Sequence, residues 1–201
     1  MFNPATAKSS VLQVGDGGRG FVIRSHGGDR VVITAWHCLP HGPLEPLTGD
    51  PEERTYADLL GPLGQEPTVW VELLFADMIA DIAVLGSPDR EDFEDEADAY
   101  DALVGSMAPL RIADAQDERA WLLSVEGEWF ACRVDYDTLV DGPLLIDEPA
   151  QPIQDGMSGS PVISDNGDAI GILCCTMDSQ FYDESPNPRL VRDLPRRFLR
   201  A

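Results

Sequence analysis

The chain has 201 residues, and its 36 acidic side chains against 14 basic ones give a net charge of −22 and a pI near 4.1. That balance excludes general affinity for nucleic acid or for anionic membranes, which both need positive surface. A hydrophobic fraction of 43% supplies a sizeable core for one large or two small domains, and no stretch approaches the roughly 20 apolar residues of a membrane helix.

In chain order, residues 1–13 lack an apolar core flanked by positive charge, so no secretory signal is read there. Residues 11–14 predict a first strand, 21–24 and 31–35 a hairpin around the turn 25–29. His26 lies in that turn as a surface residue, whereas His37 ends the β-branched run Val31-Val32-Ile33-Thr34. Residues 39–67 contain Pro40, Pro43, Pro46, Pro51, Pro62 and Pro67, and read as a surface insertion near the cleft with a short helix over 52–60. A substrate gate and a tolerated excursion both fit it; His41, after a proline, is a weaker candidate base than His37.

Residues 69–75 and 82–85 predict strands. Between Ser87 and Asp101 the acids Asp89, Glu91, Asp92, Glu94, Asp95, Glu96, Asp98 and Asp101 crowd together, which predicts a solvated face or linker. Short strands at 110–113, 120–125, 129–136 and 143–146, separated by turn residues, suit a further barrel. Asn166-Gly167 marks a hairpin between 162–163 and 169–175, and 189–200 predicts a closing helix with a basic end, interrupted at Pro195.

The chemistry centres on Gly156-Met157-Ser158-Gly159-Ser160-Pro161. Glycines on either side of the Met157-Ser158 pair allow a tight turn that exposes one hydroxyl and aims successive N–H groups at one point. Acyl transfer needs that combination, together with a base and an orienting acid. His37 supplies the base. Asp77 and Asp81 are both available as the acid; Asp81 is preferred because it abuts the apolar run Ile82-Ala83-Val84-Leu85, which should bury it.

Thr34-Ala35-Trp36-His37-Cys38, Asp81-Ile82-Ala83-Val84-Leu85 and the serine motif, in that order, resemble the three motifs of the trypsin-like (chymotrypsin-fold) serine peptidases; Gly18-Arg19-Gly20-Phe21-Val22-Ile23 resembles the strand before the histidine strand. The likeness runs from about Gly18 to Met177, and the ending is similar to that of intracellular bacterial members. It implies an all-β fold of two packed six-stranded barrels with a short C-terminal helix: an N-terminal barrel over about 8–86, an acidic linker over about 87–108, a C-terminal barrel over about 109–185 and a tail over 186–201. It also implies a serine endopeptidase in which Ser158 attacks, His37 moves the proton, Asp81 orients His37, and the N–H groups of Gly156 and Ser158 form the oxyanion hole. By position, the substrate pocket has Pro152 and Ile153 at its base and Cys174 and Thr176 on a wall. That implies a neutral, small or medium apolar side chain before the cut, unless Asp155, Asp178 or Asp183 reaches the rim.

Digestive relatives carry an aspartate where this chain has Met157, so activation through a newly cut amino terminus is not expected. Cys38 lacks the partner cysteine that secreted relatives carry in the preceding strand, Cys174 and Cys175 are adjacent, and Cys132 stands alone. No disulfide framework is read, which implies a reducing, cytoplasmic setting. No zinc spacing is present, and no metal or cofactor is expected. The expected partner is a protein or peptide substrate. A peptidase completed by an activating protein partner and a catalytically silent peptide binder are the alternatives.

Overall fold

Asn3 starts the regular structure. Its Oδ1 accepts the N–H groups of Ala5 at 3.1 Å and Thr6 at 3.2 Å, capping helix α1 (Pro4–Lys8) with a proline in its first turn. The sequence reading did not anticipate this helix, although both signals are present in Asn3-Pro4. The structure is a computed structural model that describes residues 1–40, 54–89, 91–115, 118–135, 144–174 and 187–199.

Six strands follow: β1 (Val11–Val14), β2 (Gly18–Arg24), β3 (Arg30–Thr34), β4 (Thr55–Pro62), β5 (Val69–Asp77) and β6 (Ile82–Gly86). They close into an antiparallel barrel in the order β1-β2-β3-β6-β5-β4, sealed where Leu12 faces Pro62 and Val14 faces Leu60. Strand β4 corrects the helix expected over 52–60. The barrel needs a strand to pair with both β1 and β5, and that tertiary demand overrides the local propensity of the segment. His41, in the insertion, lies outside the described residues.

The continuous apolar runs of β2, β3 and β6 have a period-2 explanation. Val22, Val32, Ala83 and Leu85 belong to one buried cluster with Leu12, Leu60 and Val71, inside the barrel. Phe21, Ile23, Val31, Ile33, Ile82 and Val84 point the other way, into a second cluster with Leu123, Ile163, Ala169 and Ile172. Both faces of these strands are therefore covered, one by the barrel interior and one by the neighbouring sheet.

That sheet contains β7 (Glu118–Leu123), β8 (Trp129–Asp135), β9 (Leu145–Asp147), β10 (Pro161–Ser164) and β11 (Ala169–Ile172), in the order β11-β10-β7-β8-β9. Among the described residues it is a five-stranded half-barrel rather than the six-stranded barrel expected. Its two edges are drawn together by residues 187–189. Leu144 and Asn187 exchange N–H···O bonds of 2.7 and 2.8 Å, and Arg189 bridges Gly171. The strand expected at 110–113 is an extended crossing between the sheets, bridged singly at Ile23–Leu110 and Ile112–Ala169. The closing helix is one turn, α3 (Leu190–Asp193), then a 3-10 turn over Arg196–Phe198. Pro195 holds Leu194 extended at φ −86° and ψ 138°, which ends the helix.

The acidic block is a solvated face, with Asp92, Glu94, Asp95, Asp98 and Asp101 exposed, and it is helical. Residues Glu94–Gly105 form helix α2, seated on the first barrel with Tyr100 and Val104 buried. Its first turn carries Glu94, Asp95 and Glu96, where negative charge suits the helix dipole. At the other end the Arg30 guanidinium donates to the carbonyls of Val104 and Gly105. Tyr100 is 1% exposed and its hydroxyl donates towards Arg30 O at 3.1 Å and Leu85 O at 3.4 Å. Burial, with the charge of Asp101, pushes that hydroxyl's pKa up. Tyr100→Ala should cost about 3–5 kcal/mol, as for other buried aromatics, and Tyr100→Phe only about 1 kcal/mol. Urea denaturation of the two variants checks the ranking.

Candidate active site

His37 sits in the 3-10 turn Trp36–Cys38 that ends β3, and Asp81 sits immediately before β6, the strand paired with β3. Register brings them together. The Asp81 carboxylate uses both oxygens on one residue: Oδ1 accepts the His37 main-chain N–H at 3.0 Å, and Oδ2 lies 2.6 Å from His37 Nδ1. The Asp81 carbonyl also accepts the Trp36 N–H at 3.2 Å. To make these contacts Asp81 takes φ +53°, a left-handed conformation that aspartate tolerates better than most residues. Asp77, the other candidate acid, is occupied locally; its Oδ1 accepts the N–H groups of Ile79 at 2.9 Å and Ala80 at 3.0 Å.

The serine segment is built from two successive turns. Met157 N–H donates to Gln154 O at 3.2 Å with Gly156 at φ +86°, and Ser160 N–H donates to Met157 O at 3.1 Å with Gly159 at φ +79°. Positive φ at the third residue alone makes each a type II turn. In a type II turn the central peptide faces opposite to that of type I, so the first turn fixes which way the Gly156 N–H points. Among the described residues no acceptor takes the N–H of Gly156 or Ser158. Met157 is buried to 1% exposure in the core of the second sheet, which anchors the first turn by apolar contact.

Gly159 cannot be any other residue: a Cβ there would collide with Arg19 O and lie 2.8 Å from Thr34 Oγ1. Arg19 N–H donates to Ser158 O at 2.8 Å, and Thr34 Oγ1 donates to Arg19 O at 2.6 Å. The serine turn thus rests on the ends of β2 and β3, three residues from His37. Ser158 is 7% exposed, and among the described residues no hydrogen bond joins its hydroxyl to the His37 ring.

Arg19 is a residue that the sequence reading missed. It is 5% exposed, and its guanidinium crosses the seam to Leu123 O at 2.9 Å, Val125 O at 3.1 Å and Ser160 Oγ at 3.5 Å. Burial lowers its pKa, against the pull of Glu126. Val125 in turn packs against Gly156: a Cβ there would lie 3.6 Å from Val125 Cγ1. One side chain therefore ties the serine turn, the flank of the Gly156 turn and the first barrel together. An arginine beside a glycine within an otherwise apolar strand was the available signal.

Of the residues expected to line a substrate pocket, Pro152 is exposed and Ile153 is half-buried against the second core, while Thr176 lies outside the described residues. Asp178 and Asp183 lie outside them too, and Asp155 is exposed at the turn. Cys174 is buried beneath Asp81, its Sγ 3.8 Å from Asp81 O and 3.7 Å from Ile172 O, while its N–H donates to Asn187 Oδ1 at 3.0 Å. Cys38 and Cys132 are free thiols.

Two opposed shifts describe the His37–Asp81 pair. The hydrogen bond that His37 donates to Asp81, helped by the Cys38 thiol, raises the His37 pKa from 6.5 to about 10, against the pull of burial. Burial would raise the Asp81 carboxyl, but its hydrogen bonds and attraction to His37 outweigh that and lower it below 3.8. No group of acidic, histidine or cysteine side chains among the described residues is placed to hold a metal ion.

A family model described as a trypsin-like peptidase domain matches residues 18–172. No curated protein matches the sequence. Among solved structures, the MamO protease domain from Magnetospirillum magneticum, in its apo form, covers 92% of this chain and 94% of its own at 13% identity, with a TM-score of 0.56.

Two outcomes test this geometry. Arg19→Met leaves carbonyls in the seam without their donors and should cost about 2 kcal/mol or more, a fall of roughly 5 °C or more in thermal midpoint. The His37 contribution to stability should be complete below about pH 6.5 and lost as pH rises through about 10. Urea denaturation across that range should show the loss in the native chain and not in His37→Ala.

Proposed function

Because the chain belongs to the trypsin-like peptidase family, we propose that it is a serine endopeptidase that cuts a protein or peptide substrate through an acyl-enzyme. The observation that carries this reading is the Asp81 carboxylate gripping both the main-chain N–H and Nδ1 of His37. That grip presents Nε2 as the proton acceptor and favours the imidazolium once formed.

In the proposed reaction Ser158 Oγ attacks the peptide carbonyl carbon while His37 Nε2 takes its proton. The carbonyl oxygen becomes an oxyanion, and the N–H groups of Gly156 and Ser158 donate to it; preorganised donors of this kind contribute about 3–4 kcal/mol each. Collapse of the tetrahedral intermediate breaks the C–N bond, with His37 giving its proton to the leaving amine. Water then repeats the sequence on the acyl-enzyme. No cofactor enters the scheme. The substrate side chain before the cut is proposed to be neutral and apolar, since Pro152 and Ile153 offer neither charge nor donor. The free thiols of Cys38 and Cys132 support a reducing, cytoplasmic setting. No described helix is long and apolar enough to cross a membrane.

A fluorophosphonate probe should label the isolated chain at Ser158, and Ser158→Ala should abolish both labelling and peptide cleavage without unfolding the protein. Labelling only in cell extract would instead favour the partner-completed peptidase, and none in either setting the silent binder. Since His37 must be neutral to accept a proton and its pKa is raised, kcat/KM should climb with pH on a limb lying above 6.5. A pH–rate profile flat above pH 6.5 would count against His37 as the base.

A further inference from the structure

At the far end of the inter-sheet seam lies a second concave surface. Strand β2 connects the two places: Gly18 and Arg19 meet the serine turn, and Ile23 and Arg24 reach this concavity about 16 Å further on, at about 3.3 Å per residue. A groove of ≈ 550 Å³ is lined by Ile23, Leu110, Ile112, Val191, Phe198 and Leu199. Val191 also lines a second depression of ≈ 240 Å³ with Asp114, Ala115, Arg189 and Arg192, so both depressions lie along the C-terminal segment. The groove's volume falls in the range of about 300–1,000 Å³ usual for binding sites.

Charge sets it apart. The chain carries −22 overall, yet five of its 14 basic residues fall within 189–200, where Asp193 is the only acid. Arg24 and Arg111 line the larger depression, which has no acidic lining residue; Arg189 and Arg192 line the smaller, opposite Asp114. Arg111 pairs with Asp168, and Arg192 approaches Asp193 at 3.9 Å, but Arg111 keeps 82% of its side chain exposed and Arg192 keeps 45%. Guanidinium groups on an apolar trough are suited to carboxylates carried on a chain with bulky apolar side chains. Two depressions that share Val191 along one segment suit an extended backbone that spans both.

The geometry points to this groove as a docking site for an extended acidic segment of another protein, with Leu- or Phe-like side chains seated between Leu110 and Phe198 and carboxylates on Arg24 and Arg111. The chain's overall negative charge repels an acidic partner, and the arginines at this groove offset that repulsion locally. The segment would touch β2, the crossing at 110–113 and the C-terminal turns, which belong to both halves of the molecule.

A labelled peptide alternating Glu with Leu and Phe tests it, titrated by fluorescence anisotropy into the full chain carrying Ser158→Ala, which leaves the groove untouched and prevents cleavage. Saturable binding is expected. The double variant Arg24→Glu, Arg111→Glu should weaken it roughly ten-fold or more, and so should Val191→Trp, which fills the trough. Amide exchange in the unsubstituted chain should slow at 109–112 and 196–199 when the peptide is added, a readout independent of how the variants fold. Unchanged affinity in both variants, equal affinity for a Glu–Ser peptide, or occupancy by a fatty acid that the peptide does not displace would each overturn the proposal. None of these results depends on whether Ser158 is a nucleophile.

Discussion

The main-chain contact between Gly159 and Arg19 is the constraint on which the site depends. Here the serine turn of one sheet touches the backbone of the other, with no side chain between them. The absence of a Cβ at Gly159 sets how closely the halves approach. The Arg19 N–H to Ser158 bond and the Thr34 hydroxyl on Arg19 O then fix the register of that approach. Because Thr34 stands three residues before His37, the same contact that joins the halves also sets the serine relative to the histidine. The Arg19 side chain extends this control to the Gly156 turn through Val125. A buried guanidinium is costly to desolvate, and here hydrogen bonds to carbonyls offset that cost.

What the sequence made legible follows from how local each signal is. Strands β2, β3 and β6 were readable because their apolar runs are long and β-branched, and the pairing of His37 with Asp81 because one terminates such a run and the other opens one. Strand β4 was not. Its residues Tyr56, Ala57 and Asp58 interrupt the apolar pattern, Asp58 takes φ +50°, and only pairing with β1 and β5 makes the segment extended. The helix inside the acidic block was illegible for the opposite reason. Its charge masks the apolar positions Tyr100 and Val104, and what stabilises the helix comes from Arg30, far off in sequence. The role of Arg19 was illegible for the same reason, since every group its guanidinium touches lies over 100 positions away.

Met157 shows how an apolar side chain sets the physics of the Gly156 turn. An aspartate at this place must find a cation, and its carboxylate cannot be buried alone without a penalty of several kcal/mol. A thioether needs no partner of opposite charge. It is held by contact with the apolar core of the second sheet, at roughly 25 cal/mol for each Å² removed from water. An ion-paired anchor is made or broken by events that supply or remove its cation. An apolar anchor forms whenever the sheet beneath it packs, so the orientation of the Gly156 N–H is coupled to the folding of β7, β8 and β10 rather than to a separate chemical trigger. Any control over such a turn must then act by shifting the packing of the two halves against each other. Strand β2 is placed to carry such a shift, because it touches the serine turn at Arg19 and the arginine-lined groove at Arg24.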